Sequence, residues 1–381
     1  NNLPPALPLF DAIKYLEDGN PTVNQFIANV TVHQVNDAAL LYEHAVDWLL
    51  EHRHSENNYK TYRSELTTFL YWSFIEEGVS VADITRRILL RYIDKALKTK
   101  LAILSSFFSY LINEEYTERN PAMMLMKNGR FKSSSQNIVM NEDDEEVRSF
   151  TQLQWSYVIS TSVKLAESDP ETHERTLFLM SLMYSCYLRI SEAAARPGFS
   201  PVMGQFKRDA KTAVWGFHIP RSKGGKKRTV AVSNQLLKAL QRYRRFLGLS
   251  ILPAPNENTP LFIRHRAAGR GRDTGLINAN LGIRQLREQI SSVFSLAADV
   301  AHHEGFKQDA LEMRQMTPHS IRHTGISHDI NINGRPLSHV QADAGHDSIN
   351  TTSQYLHTTR VERHESAATK PIDHLADSYS K

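Results

Sequence analysis

The chain has 381 residues, which is enough for two or three domains, and its formal net charge is +4 with a pI near 9.0. No apolar run reaches the roughly 18 residues that a membrane-spanning helix needs, and no charged segment followed by an apolar one marks a signal peptide. These features exclude a membrane protein, and a net charge this small does not by itself indicate nucleic-acid binding.

The first third of the chain predicts an extended arm followed by an all-α domain. Residues 1–35 contain Pro4, Pro5 and Pro8 and show weak periodicity, so they predict an arm with room for one short helix. From residue 36, apolar residues recur at three- and four-residue spacing, with Ser55 as an expected N-cap and Gly78 as a helix stop. The pattern ends at Asn120-Pro121. We therefore expect a helical domain over residues 36–130.

The rest of the chain predicts a linker and a second, mixed domain. Residues 131–150 are rich in serine and acidic residues without periodicity, which is typical of a linker. Thr151 is expected to cap a new helix, and an apolar helix near 174–188 contains the single cysteine, Cys186. A buried thiol is expected there, and one cysteine excludes an internal disulfide, which fits a reducing cytoplasm.

A small sheet and further helices complete the predicted fold. Residues 213–220 and 227–233 alternate as strands do, and the intervening SKGG predicts a β-hairpin turn. Helices are expected over 234–247, 278–304, 317–331, 336–344 and 348–357. The predicted class is mainly α with a small antiparallel β-sheet.

Charge is unevenly distributed along this chain. Acidic residues are concentrated in 141–148, whereas basic residues are concentrated in 221–228, 241–245 and 264–272. Without the acidic run, the C-terminal half is clearly basic. That half could therefore face a polyanion.

Four short segments contain the residue types of a catalytic site. They are YLRISEAA, RSKGGKKR, TPHSIRHT and AGHDSINTTSQYLHT. Their candidate residues, in chain order, are Arg189 and Glu192, Lys223 and Lys226, His319 and Arg322, and His346 and Tyr355. Taken singly, each has an ordinary explanation, such as a helix-terminal arginine, a solvated turn or a core tyrosine. Their order makes coincidence much harder to accept.

The order R…K…HxxR…H…Y, with LRISE, PHSIRHT and GHDSINTTSQY, resembles the tyrosine recombinase (phage integrase) family. SENNYKTYRSELTTFLYW, KTKLAILSSFFSYL and the following NPA resemble that family's helical core-binding domain. The resemblance covers residues 36–365, and it implies an all-α core-binding domain followed by a mixed α/β catalytic domain over 151–381 that includes a C-terminal tail. Two departures are visible: Tyr187 replaces a glycine common in the family, and residues 264–275 form an inserted loop.

The resemblance implies a transesterification by Tyr355. Two guanidiniums, those of Arg189 and Arg322, can hold the non-bridging oxygens of a phosphodiester, with His346 as a further donor. Because a phenol has a pKa near 10, Tyr355 needs proton removal, and the resemblance implies that His319 is its general base or hydrogen-bond partner.

The remaining catalytic roles concern the leaving group and the arginines. Lys223 is the expected proton donor to the leaving 5′-oxygen, with Lys226 as the second choice, and Glu192 is expected to orient an arginine or a histidine. No cofactor or metal is expected. The pair His319 and His323 has the spacing of a zinc site but lacks the glutamate of HExxH and has an arginine between the two histidines.

The expected partner is double-stranded DNA, held in a clamp by both domains. The residues expected to contact it are Asn57, Asn58, Lys60, Arg63, Lys226, Lys227, Arg228, Arg264, Arg266, Arg270 and Arg272. An ordinary solvated face is the alternative for the first four. The resemblance also implies a homo-tetramer joined through the C-terminal tail when two sites meet, with accessory DNA-bending or directionality proteins as further candidates. We expect a cytoplasmic, nucleoid-associated protein of a bacterium.

Three alternatives remain open from the sequence. A type IB topoisomerase or a hairpin telomere resolvase uses the same residues without exchanging strands between two sites. A DNA-binding accessory protein that has lost catalysis is the third. The presence of all six residues, Arg189, Lys223, His319, Arg322, His346 and Tyr355, argues against this last alternative.

Overall fold

The computed structural model describes residues 8–17, 19–93, 98–127, 149–195, 199–220, 227–264, 279–356 and 360–368. Most of these residues are helical, and a single three-stranded antiparallel sheet accompanies the helices in the described ranges. The predicted fold class is therefore confirmed. Among the described helices, none is long and apolar enough to cross a membrane.

The N-terminal helices are α1 (Pro21–His33), α2 (Ala38–Glu51), α3 (Glu56–Tyr71), α4 (Arg86–Ile93), α5 (Lys98–Asn113) and α6 (Pro121–Lys127). Four of them, α2 to α5, follow the apolar pattern predicted from residue 36 onwards. Ser55 caps α3 by accepting a hydrogen bond from the backbone N–H of Asn58, and Gly78 ends the following π-helical turn at φ 63°. The predicted N-cap at Ser55 and the predicted helix stop at Gly78 are both confirmed.

The structure corrects the prediction of an extended N-terminal arm. Leu9, Phe10 and Leu16 are buried, and they belong to the same hydrophobic core as α1 and the helices after it. Asn20 caps α1, and Pro21 occupies its first turn. The described part of residues 1–35 is therefore an integral part of the helical domain, because its apolar side chains have a core to enter.

The helices of the second half begin at Thr151, whose side chain forms a capping box with Gln154. They are α7 (Gln152–Ser168), α8 (Pro170–Cys186), α9 (Ile190–Ala193), α10 (Asn234–Phe246), α11 (Ile283–His303), α12 (Lys307–Gln315), α13 (His319–Asn331), α14 (Leu337–Ala344), α15 (Ile349–Ser353) and α16 (Arg360–Ala368). Helix α12 was not predicted, since it buries only Ala310 and Met313. Cys186 is buried, as expected.

The sheet consists of β1 (Phe206–Arg208), β2 (Trp215–Ile219) and β3 (Arg228–Ala231), in the order β1-β2-β3. Strands β2 and β3 form the predicted hairpin, with Phe217 opposite Val230 on the buried face. Strand β1 was not predicted, because it has three residues and buries only Phe206. The hairpin tip, residues 221–226, lies outside the described residues.

Two large hydrophobic cores divide the described chain. One contains residues between 9 and 125, and the other contains residues between 150 and 321. We propose that they are the helical and catalytic domains inferred from the sequence. Most of the predicted linker, residues 131–148, lies outside the described residues.

The close approach of α13 to α8 brings two of the candidate catalytic segments together. A Cβ atom at Gly325 on α13 would lie 2.2 Å from the carbonyl oxygen of Tyr184 on α8, so only glycine permits this packing. As a result, the first turn of α13, with His319 and Arg322, lies beside the chain turn that follows α8 and contains Arg189.

Candidate active site

A left-handed turn at the end of α8 orients the first arginine segment. Tyr187 has φ 54°, a conformation that favours glycine, and its carbonyl oxygen accepts a hydrogen bond from Arg322. The Tyr187 hydroxyl donates to Asp329 and accepts from Arg335 at 2.7 Å. These side-chain contacts offset the backbone strain and explain how a tyrosine replaces the family's glycine here.

Arg322 is fully buried at the start of α13. Its guanidinium donates to the carbonyl oxygens of Tyr187 and Ala344, the latter at 2.9 Å, and to the carboxylate of Glu115. Although burial disfavours its charge, the carboxylates of Glu115 and Glu192 raise the pKa of Arg322 above its ordinary value. The cation is therefore retained at every accessible pH.

His346 and Tyr355 approach the same point from the segment after α14. The Nε2 atom of His346 lies 2.6 Å from Oε1 of Glu115, and its Nδ1 atom lies 2.7 Å from the Thr352 hydroxyl. Because an ionised carboxylate can only accept, Nε2 donates. Burial lowers the pKa of His346, so the ring is neutral at neutral pH and its Nδ1 atom accepts. The Tyr355 hydroxyl lies 3.1 Å from the same Glu115 oxygen.

Glu115 thus stands at the centre of the site, although it belongs to the helical domain. It follows α5 at a left-handed position with φ 59°. Its carboxylate contacts Arg322, Arg189 at 3.1 Å, His346 and Tyr355. Burial alone would raise its pKa, but Arg322, His346 and Arg189 together hold the pKa well below the usual range. An anion occupies the space between four of the six predicted catalytic residues.

His319 occupies a different place from the one predicted. Its Nδ1 atom lies 3.3 Å from Oε2 of Glu114, and the residue that contacts the Tyr355 hydroxyl is His323, through Nδ1. Burial, together with the neighbouring His323 and Arg322, lowers the pKa of His319 well below its ordinary value. The structure therefore does not bring His319 to the Tyr355 hydroxyl.

Glu114 differs from its neighbour Glu115 in protonation. Burial, followed by the charges of Asp47 and Glu51, raises the pKa of Glu114 to about 8. At neutral pH it is therefore mainly a neutral acid facing the neutral imidazole of His319.

Glu192 holds two arginines, as expected for an orienting residue. Its carboxylate accepts hydrogen bonds from Arg228 at 2.7 and 3.0 Å and from the backbone N–H of Arg189 at 2.9 Å. Burial opposes ionisation of Glu192, but Arg228 and Arg189 outweigh it and lower the pKa to about 2.

The structure corrects two of the predicted DNA contacts. Arg228 is buried against Glu192 and the carbonyl oxygen of Asp343 at 3.0 Å, and Arg264 is buried against the carbonyl oxygen of Asn280 at 2.7 Å. Both guanidiniums satisfy internal acceptors and do not face the surface.

The other predicted DNA contacts are not tested by the structure. Lys227, Asn57, Asn58 and Lys60 are exposed, whereas Arg63 is half-buried with its guanidinium 5.6 Å from the centre of the Tyr59 ring. Those that lie outside the described residues are Lys226, Arg266, Arg270 and Arg272, and the catalytic candidate Lys223 also lies there. In the described ranges no group of three or more histidine, cysteine or acidic residues has the arrangement of a metal site.

A model of the phage integrase family matches residues 159–362, which is more than half of the chain. The chain belongs to this family. It is a tyrosine recombinase, and the resemblance inferred from LRISE, PHSIRHT and GHDSINTTSQY is confirmed.

Sequence relatives that are named tyrosine recombinases align with most of the chain. The tyrosine recombinase XerC of Thermodesulfovibrio yellowstonii is 25% identical over 338 residues, covering 86% of this chain and 90% of the relative. XerC of Oceanobacillus iheyensis is 24% identical and covers 91% and 97%, respectively. Among solved structures, XerH bound to a palindromic difH substrate in a post-cleavage complex has a TM-score of 0.44 and 16% identity, over 91% of this chain and 94% of that one.

Sequence reasoning missed three site residues. His323 lies within the PHSIRHT segment, where its position next to Arg322 was a usable signal. Glu114 and Glu115 had no comparable signal, because they follow helix α5 of the other domain and the partners of Glu115 lie roughly 75 to 240 residues further along the chain.

The burial of Arg228 predicts a structural effect, not a DNA-binding one. We expect Arg228→Ala to destabilise the protein by about 3–5 kcal/mol, because it leaves Glu192 buried with its main partner removed. Lys227→Ala, the exposed neighbour, should leave stability unchanged and weaken binding to duplex DNA. Urea unfolding and DNA titration distinguish the two variants.

The loss of stability caused by Arg228→Ala should also depend on pH. Glu192 is ionised in the folded state down to about pH 2, whereas its unperturbed pKa is 4.5. The contribution of the Arg228–Glu192 pair to the free energy of unfolding is therefore complete above pH 4.5 and is lost as the pH falls towards 2. The difference in unfolding free energy between the wild type and Arg228→Ala should shrink over that range. A stable Arg228→Ala protein with weakened DNA binding would contradict the structural role.

Proposed function

We propose that this tyrosine recombinase cuts and rejoins duplex DNA through a 3′-phosphotyrosyl bond formed by Tyr355. One observation carries the proposal: Arg189, Arg322, His346 and Tyr355 converge on a single anionic group, the carboxylate of Glu115. A carboxylate shares with a phosphodiester its negative charge and two acceptor oxygens. Glu115 therefore stands in for the non-bridging oxygens of the scissile phosphate.

The arginines suit a phosphate better than they suit the carboxylate. The Nε atoms of Arg189 and Arg322 are buried, and neither has a hydrogen-bond partner among the described residues. A tetrahedral phosphate offers more acceptor directions than a planar carboxylate, so it can engage donors that Glu115 leaves unsatisfied. In the transition state these donors stabilise the charge that accumulates on the non-bridging oxygens.

Tyr355 then attacks the phosphorus atom, and the 5′-oxygen departs. We assign Lys223 as the proton donor to that oxygen, with Lys226 as the second choice. The ester retains the energy of the broken bond, so a second 5′-hydroxyl can reverse the attack, as strand exchange requires. We propose no metal or cofactor in these steps.

We also propose the assembly in which the reaction takes place. Duplex DNA lies in a clamp between the helical and catalytic domains, and four protomers join through the C-terminal tail when two sites meet. Accessory DNA-bending or directionality proteins and an association with the bacterial nucleoid belong to the same proposal. The family match favours recombination over the topoisomerase, telomere-resolvase and accessory-protein alternatives.

Removal of the Tyr355 hydroxyl tests the proposed nucleophile. Wild-type protein should form a covalent adduct at a 3′-phosphate on a nicked duplex, and Tyr355→Phe should bind the same duplex without forming an adduct. The duplex can be built from the site recovered by sequencing DNA trapped on the protein. A denaturing gel that shows equal adduct for both proteins would exclude Tyr355.

A sulfur substitution tests Lys223. An alkoxide leaves poorly at neutral pH, whereas a thiol ionises near pH 8.5 and its thiolate leaves without a donated proton. Lys223→Ala should therefore cleave normal DNA orders of magnitude more slowly but cleave DNA with a bridging 5′-sulfur at nearly the wild-type rate. Rescue of Lys226→Ala instead would reassign the acid to Lys226.

A further inference from the structure

Two partners of the Tyr355 hydroxyl come from different domains. Nδ1 of His323 contacts it from α13, and Oε1 of Glu115 lies 3.1 Å away. Glu115 occupies the proposed phosphate position, so it must leave when a phosphate enters. His323 belongs to the same domain as Tyr355 and remains beside it.

His319, the other candidate, faces away from the nucleophile. Its Nδ1 atom lies beside Glu114, and its ring meets that of His323 edge-on with centroids 4.3 Å apart. His323 is buried, and its ring lies 5.4 Å from that of Tyr355. The two histidines are thus positioned for different tasks by the same helix.

We infer that His323 accepts the proton of Tyr355 during attack, an inference that rests on the proposed function. As the bond from Oη to phosphorus forms and the bond to the 5′-oxygen breaks, the phenolic proton moves to Nδ1. The 5′-oxygen receives its proton from Lys223, so charge and protons balance. Rejoining reverses both transfers. An imidazole, with an ordinary pKa near 6.5, suits this role at neutral pH.

Asparagine at position 323 separates proton transfer from hydrogen bonding. Its amide oxygen reaches the position of Nδ1 and can accept a hydrogen bond, but it cannot take up a proton at neutral pH. We expect His323→Asn to bind the nicked duplex normally and to form the adduct about 10²–10⁴-fold more slowly. The matched control is His339→Gln, an exposed histidine on α14, which should react at the wild-type rate.

The pH profile identifies the group responsible. Charged or titratable groups around His323 include His319 and Arg322 on its own helix, Tyr355, and Glu115 from the helical domain. The wild-type rate should fall at acid pH as the acceptor becomes protonated, and His323→Asn should lose this acid limb. An acid limb that persists in the variant would assign it to another histidine and overturn the inference.

The bridging 5′-sulfur substrate gives a second, independent criterion. Sulfur assists only the leaving group, so it should rescue Lys223→Ala and leave the His323→Asn defect in place. Rescue of His323→Asn, or a wild-type rate on normal DNA, would overturn the inference. Thermal melting checks folding, and His323→Gln repeats the test if the asparagine variant is unstable. Adduct formation by Tyr355→Phe would instead overturn the proposed function itself.

A separate observation concerns Glu115 and the helical domain. This residue adopts a left-handed backbone conformation that L-residues rarely adopt, and its side chain is only 6% exposed. Its carboxylate contacts both catalytic arginines. The same domain supplies Asp47, which pairs at 2.7 Å with Arg287 of the catalytic domain. Ion pairs therefore hold the two domains closed over the site.

We propose that Glu115 competes with the DNA phosphate for the catalytic arginines and keeps the DNA-free enzyme closed. Only the open state can admit a duplex. The observed affinity for DNA is therefore the affinity of the open state multiplied by the fraction of molecules that are open. Weakening the Glu115 contacts increases this fraction and so raises the observed affinity. This proposal rests on the identity of the phosphate site but not on the chemistry at Tyr355.

A pair of charge-matched variants tests this competition. Glu115→Gln and Glu118→Gln each remove one negative charge, but exposed Glu118 contacts Thr351 at 3.3 Å and none of the four catalytic residues. On a duplex of arbitrary sequence, Glu115→Gln should bind about tenfold more tightly than wild type, and Glu118→Gln should change little by comparison. Without DNA, small-angle X-ray scattering should show a larger radius of gyration for Glu115→Gln alone.

Two outcomes would overturn the competition. Equal gains for both variants would mean that charge removal, not opening, explains the tighter binding. An unchanged radius of gyration together with unchanged affinity would mean that Glu115 does not hold the closed state. Neither outcome affects adduct formation by the wild-type protein, which tests the proposed function separately.

Discussion

The buried guanidinium of Arg322 is the constraint on which the rest of the site depends. A cation without exposed surface needs acceptors for its N–H groups, since an unpaired buried charge is very costly. The carbonyl oxygens of Tyr187 and Ala344 and the carboxylate of Glu115 supply them for its two terminal nitrogens, Nη1 and Nη2. The two carbonyls lie at chain turns made by left-handed residues, Tyr187 itself and Gly345. The two turns therefore place their carbonyl oxygens where they stabilise the charge of Arg322.

The same charge explains why two adjacent carboxyl groups differ in protonation. Glu115 faces Arg322 and Arg189 and stays ionised, whereas burial, followed by the charges of Asp47 and Glu51, raises the pKa of Glu114 to about 8. Two buried guanidiniums, those of Arg322 and Arg189, attract an internal anion. For Glu114, burial and the charges of Asp47 and Glu51 outweigh the attraction of Arg189, so its neutral form predominates at neutral pH.

Local signals in the sequence were sufficient for much of the fold. Ser55, Gly78 and Thr151 mark helix ends through contacts within a few residues, and the pairing of β2 with β3 follows from the alternation on either side of the sequence SKGG. The predictions that were wrong concern burial. Residues 1–35 were predicted to form an arm, and Arg228 was predicted to be a surface cation, because periodicity in a single segment does not reveal which distant surface covers it.

The sequence by itself determined the family, the order of the candidate catalytic residues and the identity of Tyr355 as the candidate nucleophile, because these reside in short motifs with fixed spacing. Only the tertiary structure decided which histidine of PHSIRHT contacts the Tyr355 hydroxyl and which carboxylate pairs with the candidate catalytic arginines. Arg322 and Glu115 are 207 positions apart. Pairing over such a separation depends on how two domains pack, and the energy of a buried charge is set by whatever that packing brings within a few ångströms.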